Sequence, residues 1–266
     1  EKQRLDLLMV QKGLAPSREK AKAFILSGQV LADGKAANKA GETFPLNTEI
    51  TLKAEPCPYV SRGGLKLEKA MAEFSLSLEN KICMDIGASA GGFTDCMLQN
   101  GASMVYAVDV GYGQLDWKLR NDERVIVMER TNARYLTEKD IPLQPDFASV
   151  DVSFISLRLI FPALARIGVK EVVTLIKPQF EAGREKVGKR GVVRDACVHE
   201  EVIETVLKGA REYGYAAQHL SFSPIKGPNG NIEYLAHYLF GAEEQEMPTK
   251  AVVQSAHALL SSRVQP

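Results

Sequence analysis

The residues of this chain best placed to do chemistry fall into two groups. The first is a loop of small side chains in KICMDIGASAGGFTDCML, where Gly87, Ala88, Ser89, Gly91 and Gly92 follow an apolar strand and lead into a helix. Small residues at such a turn let a ligand approach the backbone. The spacing G-x-x-x-G-G departs from the G-x-G-x-x-G of pyrophosphate-binding dehydrogenases, which argues against a nicotinamide enzyme. Asp85, at the strand end, suits a cationic or amino-bearing ligand better than a diphosphate. Asp109 ends the next strand, where a carboxylate can accept hydrogen bonds from ribose hydroxyls. The same loop could also be a tight strand-to-helix turn with no ligand.

The second group is Lys66, Asp151, Lys177 and Glu233, far apart in sequence. Asp151 closes SVDVSF and Lys177 closes TLIKPQF, so both belong at the carboxyl ends of neighbouring parallel strands, on the same rim as the glycine loop. Lys66 precedes the first strand in YVSRGGLKLEKA, and Glu233 opens a late strand in GNIEYLAH. A lysine between an apolar run and Pro178 is either partly desolvated or held charged by Asp151. Residue types alone leave open whether this pair is reactive or is an ion pair at the sheet rim.

The elements that must carry these groups are legible in the apolar patterning. ICMDIG, MVYAVDV, VIVM, DFASVDV and VVTLI are short β-branched runs separated mostly by helix-length segments, which predicts an α/β fold with a mostly parallel sheet covered on both faces. AAQHLSFS and NIEYLAHYLF, with no helix between them, should pair antiparallel at one edge. Residues 1–55 read as a separate small α+β domain. Leu5, Leu8 and Met9 share a helix face, Ser17 caps a second helix that Gly28 ends, and Asp33-Gly34 signals a turn between short strands. Residues 56–64, rich in proline and glycine, read as a linker, and 65–266 as the larger domain.

Composition narrows the classes. Hydrophobic residues make up 45% and charged residues 25%, ordinary for a globular chain and wrong for a disordered or disulfide-scaffold one. The longest apolar stretch, LRLIFPALARIG, is broken by Arg158, Pro162 and Arg166, too short and too charged to span a bilayer. The opening EKQRLDLLMVQKG lacks the continuous apolar region of a signal peptide. With Cys57, Cys83, Cys96 and Cys197 well separated and the histidines showing no ligand spacing, we expect a cytoplasmic chain with reduced thiols and no metal site. The formal charge is zero, from 33 basic and 33 acidic side chains, which excludes a globally basic nucleic-acid binder. Locally the balance differs: residues 177–194 hold 6 basic and 2 acidic side chains, and residues 199–246 hold 3 and 8.

DIGASAGGFTD, DVGYGQLDWKLR and YVSRGGLKL together resemble the TlyA (haemolysin A) family of ribosomal-RNA ribose methyltransferases. The catalytic domain of that family is similar to FtsJ/RrmJ-type 2′-O-methyltransferases, and its N-terminal unit to the small αL RNA-binding domain of a ribosomal protein. The resemblance implies a Rossmann-like S-adenosylmethionine-dependent methyltransferase fold and methylation of cytidine riboses in small- or large-subunit ribosomal RNA. It implies a Lys-Asp-Lys-Glu tetrad at Lys66, Asp151, Lys177 and Glu233. It places the donor on Asp85, Gly87, Ala88, Ser89, Gly91, Gly92, Phe93, Asp109 and Val110, with Asn132 near the adenine. Ala90 and Phe93 stand where the FtsJ-type loop usually has proline and tryptophan. The expected RNA contacts are Lys12, Arg18, Lys20, Lys22 and Arg62, with Arg184, Lys189 and Arg190 in a mobile glycine-punctuated loop after Lys177. The rival readings are a non-enzymatic RNA-binding assembly factor and a membrane-active haemolysin.

Overall fold

Each of the five apolar runs forms a strand in the computed structural model, which describes residues 2–26, 28–53 and 57–261. The chain divides into two compact units, Glu1–Pro58 and Tyr59–Pro266. The first holds β1 (Lys2–Arg4), α1 (Leu5–Gln11), α2 (Arg18–Leu26), β2 (Val30–Ala32), β3 (Lys35–Ala36), β4 (Thr43–Pro45) and β5 (Ile50–Leu52). β1 pairs with β4, and β3-β2-β5 form a second antiparallel sheet. Its core is Leu5, Leu8, Met9, Ala21, Ile25, Val30 and Ile50, contributed by both helices and the three-stranded sheet. Ser17 Oγ caps α2 by accepting from Lys20 N. Asp6 is fully buried beneath Arg4 and Arg18, whose guanidiniums hold its carboxyl well below the usual carboxylate range.

The second unit runs α3 (Gly64–Glu73), β6 (Ile82–Ile86), α4 (Gly92–Gln99), β7 (Met104–Val108), α5 (Trp117–Arg120), β8 (Val125–Met128) and β9 (Phe147–Val150). It continues with α6 (Phe161–Ile167), β10 (Glu171–Ile176), α7 (Pro178–Glu181), α8 (Ala196–Arg211), β11 (Tyr215–Phe222), β12 (Tyr234–Phe240) and α9 (Thr249–Ser261). The sheet order is β11-β12-β10-β9-β6-β7-β8. β10, β9, β6, β7 and β8 are parallel, and β12 runs antiparallel to both its neighbours. The reversed strand is therefore one in from the edge, and β11 closes that edge.

Strands buried on both faces need apolar cover on both, and the helices supply it. In α8, Asp195 caps the first turn, and His199, Val202, Ile203, Val206, Leu207 and Ala210 form one buried stripe at three- and four-residue spacing. α9 buries Val253, Ala256 and Leu260 beside it. Because β6 lies between β9 and β7, the chain leaves β6 towards one side and later returns on the other. The loops after β6, β7 and β9 therefore open a crevice at the carboxyl ends of the strands.

The stretch read from sequence as a linker needs correcting. Pro56 lies outside the described residues, but 59–64 packs into the second unit. Tyr59 is buried and donates its hydroxyl to Glu68 Oε1, while Val60 N donates to Asp95 Oδ2 at 2.8 Å. Gly64 here serves close packing, since a Cβ would stand 2.3 Å from the Tyr59 ring.

Candidate active site

The crevice is a cleft of about 410 Å³, within the range of small-molecule sites. Gly87, Ser89, Asp109, Val110 and Asn132 line it, together with Gln114, Thr131, Asp151, Ser153 and Phe154. Gly87 has φ +87, and a Cβ there would stand 2.2 Å from the Asp151 carbonyl oxygen. Only glycine lets the loops after β6 and β9 touch at this point. Asp109 braces the cleft with both oxygens: Ser89 N donates to Oδ2 at 2.8 Å and Gly111 N to Oδ1 at 2.7 Å. A carboxylate oxygen has a second lone pair, so Asp109 can still accept from a ligand hydroxyl. Asn132 Oδ1 accepts from Arg134 N, leaving its NH₂ group without a partner among the described residues. An acceptor, an amide donor and apolar walls from Val110 and Ile155 fit a nucleoside-sized group.

Other residues of the glycine loop do not line this cleft. Asp85 is fully buried, accepting from Thr94 N (2.9 Å), Thr94 Oγ1 (2.7 Å) and Ser149 Oγ (3.2 Å). It ties β6 to α4 and β9 rather than facing a ligand, and burial pushes its carboxyl up to about 7. Ala88 and Phe93 are buried too, the Phe93 ring lying beside Gly63. Gly91 caps α4, and Gly92 is small because Ser61 and Gly64 pack on it: a Cβ would meet Ser61 Oγ at 2.2 Å. These small residues serve helix packing.

The four separated polar residues come together. Lys177 Nζ lies 2.5 Å from Asp151 Oδ1, Lys66 Nζ lies 4.0 Å from Asp151 Oδ2, and Lys66 Nζ donates to Glu233 Oε2 at 2.8 Å. Lys66 comes from the first turn of α3, Asp151 follows β9, Lys177 stands at the N-terminal end of α7 after β10, and Glu233 precedes β12. Two cations and two anions make a formally neutral, mostly buried row, and Asp151 joins it to the cleft. Breaking such a row by removing one charge leaves another buried and unpaired.

Sequence reasoning missed two members of this network. Gln179 Nε2 donates to Glu233 Oε1 at 3.2 Å, and Ser153 Oγ accepts from Lys177 Nζ at 3.1 Å. Each stands two residues after a tetrad member, Ser153 in the turn after β9 and Gln179 in the first turn of α7. Exposed Phe154, with φ +64 and its ring 4.8 Å from that of Phe180, was missed as well.

The basic residues lie as follows. Lys12, Arg18, Lys20 and Lys22 are exposed on the first unit, with Arg18 also pinned to Asp6. Arg62 is exposed just before α3. Arg184, Lys189 and Arg190 are exposed in the loop between α7 and α8, where Lys186, Lys189, Arg190 and Arg194 wall a shallow groove. The end of that loop, residues 191–193, is hydrogen-bonded to its neighbours. Asn231 accepts from Val193 N and donates to Gly191 O, and Val193 O meets His199 Nε2. Among the described residues, no helix is long and apolar enough to cross a membrane, and no cluster of three His, Cys, Asp or Glu could hold a metal ion.

Comparison with known proteins matches this geometry to recorded families. Residues 59–240 match the FtsJ-like methyltransferase family, and residues 3–50 match the S4 domain. The Bacillus subtilis protein YqxC is 53% identical over 99% of this chain and 97% of its own length. The 16S/23S rRNA (cytidine-2′-O)-methyltransferase TlyA of Mycobacterium tuberculosis is 40% identical, covering 97% of each chain. A solved structure from Streptococcus thermophilus superposes with a TM-score of 0.76 at 52% identity, covering 98% of this chain and 97% of that one.

Proposed function

This chain belongs to the TlyA family of FtsJ-like methyltransferases that carry an S4 domain, and from that membership we propose that it methylates the 2′-hydroxyl of a cytidine in ribosomal RNA, with S-adenosylmethionine as donor. The observation that carries this reading is the Lys177–Asp151–Lys66–Glu233 row abutting a nucleoside-sized cleft through Asp151. Asp109 would accept from the donor's ribose hydroxyls, Asn132 would hold its adenine, and Gly87 and Ser89 would lie along it. When bound, S-adenosylmethionine would supply an electrophilic methyl group on its sulfonium, with the neutral thioether of S-adenosylhomocysteine as leaving group.

A ribose hydroxyl is a poor nucleophile until its proton is removed. Lys177 would accept or steer that proton, with Asp151 setting its position and charge, and would steady the developing charge on oxygen. Asp151 holds the Lys177 amine at the edge of the cleft. Lys66 and Glu233 complete the row and orient the hydroxyl. Much of the rate then comes from alignment of the reacting atoms. The first unit, with Lys12, Arg18, Lys20 and Lys22, supplies phosphate contacts, as do Arg62, Arg184, Lys189 and Arg190. The substrate is ribosomal RNA or a ribosomal subunit, which places the work in the cytoplasm.

The test is a map of 2′-O-methyl marks on ribosomal RNA from cells with and without the chain. One or more cytidine marks should depend on it; identical maps would sink the reading. With purified protein, Lys177→Ala should lower methyl transfer by about a hundred- to ten-thousandfold while S-adenosylhomocysteine still binds by calorimetry. Near-normal turnover in that variant would remove Lys177 from the role.

A further inference from the structure

Lys177 is buried, and the loop after β9 sets Asp151 and Ser153, both lining the cleft, against its amine. Its amine lies against Asp151 Oδ1 and donates to Ser153 Oγ. An ammonium has three N–H donors, so these two partners leave one direction open. The other groups around it are the Phe180 ring, 5.8 Å away, and Lys66 and Glu233, which join the row through Asp151. Ser153 is itself exposed and lines the cleft, so its hydroxyl bridges a buried amine and the space where substrate must lie.

The turn that aims Ser153 is held from a second direction. Phe154, the next residue, has φ +64, a conformation that a bulky side chain keeps only where its surroundings impose it. Glu181, at the end of α7, accepts from Ser156 Oγ and Leu157 N, both at 2.7 Å. The loop after β9 is thus tied to the residues after β10 twice, once through Ser153 and Lys177 and once through Glu181. A free surface turn would need neither tie.

We infer that Ser153 is a positioning residue for methyl transfer: its hydroxyl fixes the rotation of the Lys177 amine, so that the open direction faces the ribose hydroxyl of the bound nucleotide. This rests on the reading of Lys177 given above. A serine hydroxyl can accept an N–H from the ammonium and from the free amine alike, so Lys177 keeps the partner before and after it takes the proton while its lone pair stays free for the ribose hydroxyl. Ser153 itself makes and breaks no bond to the reactants. Glu181 acts one step further back, by fixing the turn.

The test compares Ser153→Ala and Ser153→Thr in the full chain, by two measurements. The first is NMR of ¹⁵N-lysine-labelled protein, which reads the Lys177 ammonium without substrate. Its signal should be seen in the parent, be lost through faster exchange in Ser153→Ala, and return in Ser153→Thr. The second is single-turnover methyl transfer to ribosomal subunits purified from cells lacking the chain. Ser153→Ala should be slower by about three- to tenfold, the loss of one hydrogen bond, with S-adenosylhomocysteine affinity unchanged, and Ser153→Thr should restore the rate. An unchanged Lys177 signal in Ser153→Ala overturns the inference, as does a parallel loss of rate and donor affinity. Failure of the parent protein to methylate the subunits counts against the proposed function instead, and the NMR comparison then decides the Ser153 contact by itself.

Discussion

Asp85 shows how one buried group can be mistaken for a ligand-binding one. Its position at the end of β6 suits either role, but three hydrogen bonds inside the protein occupy it, and burial raises its carboxyl from the ordinary 3.8 to about 7. Between those values the folded protein binds a proton that the unfolded chain has lost. The stabilisation is therefore complete below about pH 4 and is lost as pH rises through about 7. Asp85→Asn should keep the Thr94 bonds and remove this dependence. Urea denaturation from pH 4 to 8 should show the parent losing stability on the order of a few kcal/mol more than the variant. Equal slopes would place the titration elsewhere. By contrast Lys66, Asp151, Lys177 and Glu233 were legible as residues through the motifs that hold them, although residue types alone left an ordinary ion pair open. Their contacts were not legible, since pairing depends on strand order. Ser153 and Gln179 went unnoticed because an isolated Ser or Gln carries no signal until a partner is placed beside it.

At the scale of elements, the loops after β6 and β9 form one unit because Gly87 lets the Asp151 carbonyl approach. Gly87→Ala adds a methyl group in a left-handed conformation and against backbone. It should cost about 2–4 kcal/mol and lower donor affinity at least tenfold, measured by thermal denaturation and calorimetry with S-adenosylhomocysteine. Retained affinity would show that the two loops need not touch. α9 offers a second test. His257 Nε2 meets His199 Nδ1 at 3.1 Å, and that nitrogen also meets Tyr234 OH at 2.7 Å. Burial lowers both imidazoles below the ordinary value, so their contribution is present above about 6.5 and is lost as pH falls through the folded-state values. Protection of α9 amides, measured as hydrogen exchange relative to the intrinsic rate at each pH, should fall between pH 7 and 5, and His257→Gln should remove much of that fall. Element types followed from the sequence because alternation and β-branching act locally. That β12 lies one in from the edge followed from pairing, which is not local.

For the whole molecule, a net charge of zero conceals an uneven distribution. The loop before α8 exposes Arg184, Lys189 and Arg190, while acidic side chains collect between residues 199 and 246. RNA affinity should therefore fall steeply with salt, and the double variant Lys189→Ala/Arg190→Ala should reduce the slope of log K against log salt by about 1–2. Filter binding to ribosomal RNA at several salt concentrations measures it. An unchanged slope would assign the phosphate contacts to other residues.

The sequence by itself determined the α/β class, a small leading unit, the glycine turn after the first sheet strand and the four charged residues at element ends. These follow from side-chain periodicity and local backbone preference, which act over a few residues. Only the tertiary structure decided which small residues face the cleft and which are small because a neighbour packs on them, as at Gly92. It also drew residues 59–64 into the second unit and completed the charged row with Ser153 and Gln179. The reason is physical: burial and pairing belong to residues brought together by the sheet order, and no stretch of chain contains that order.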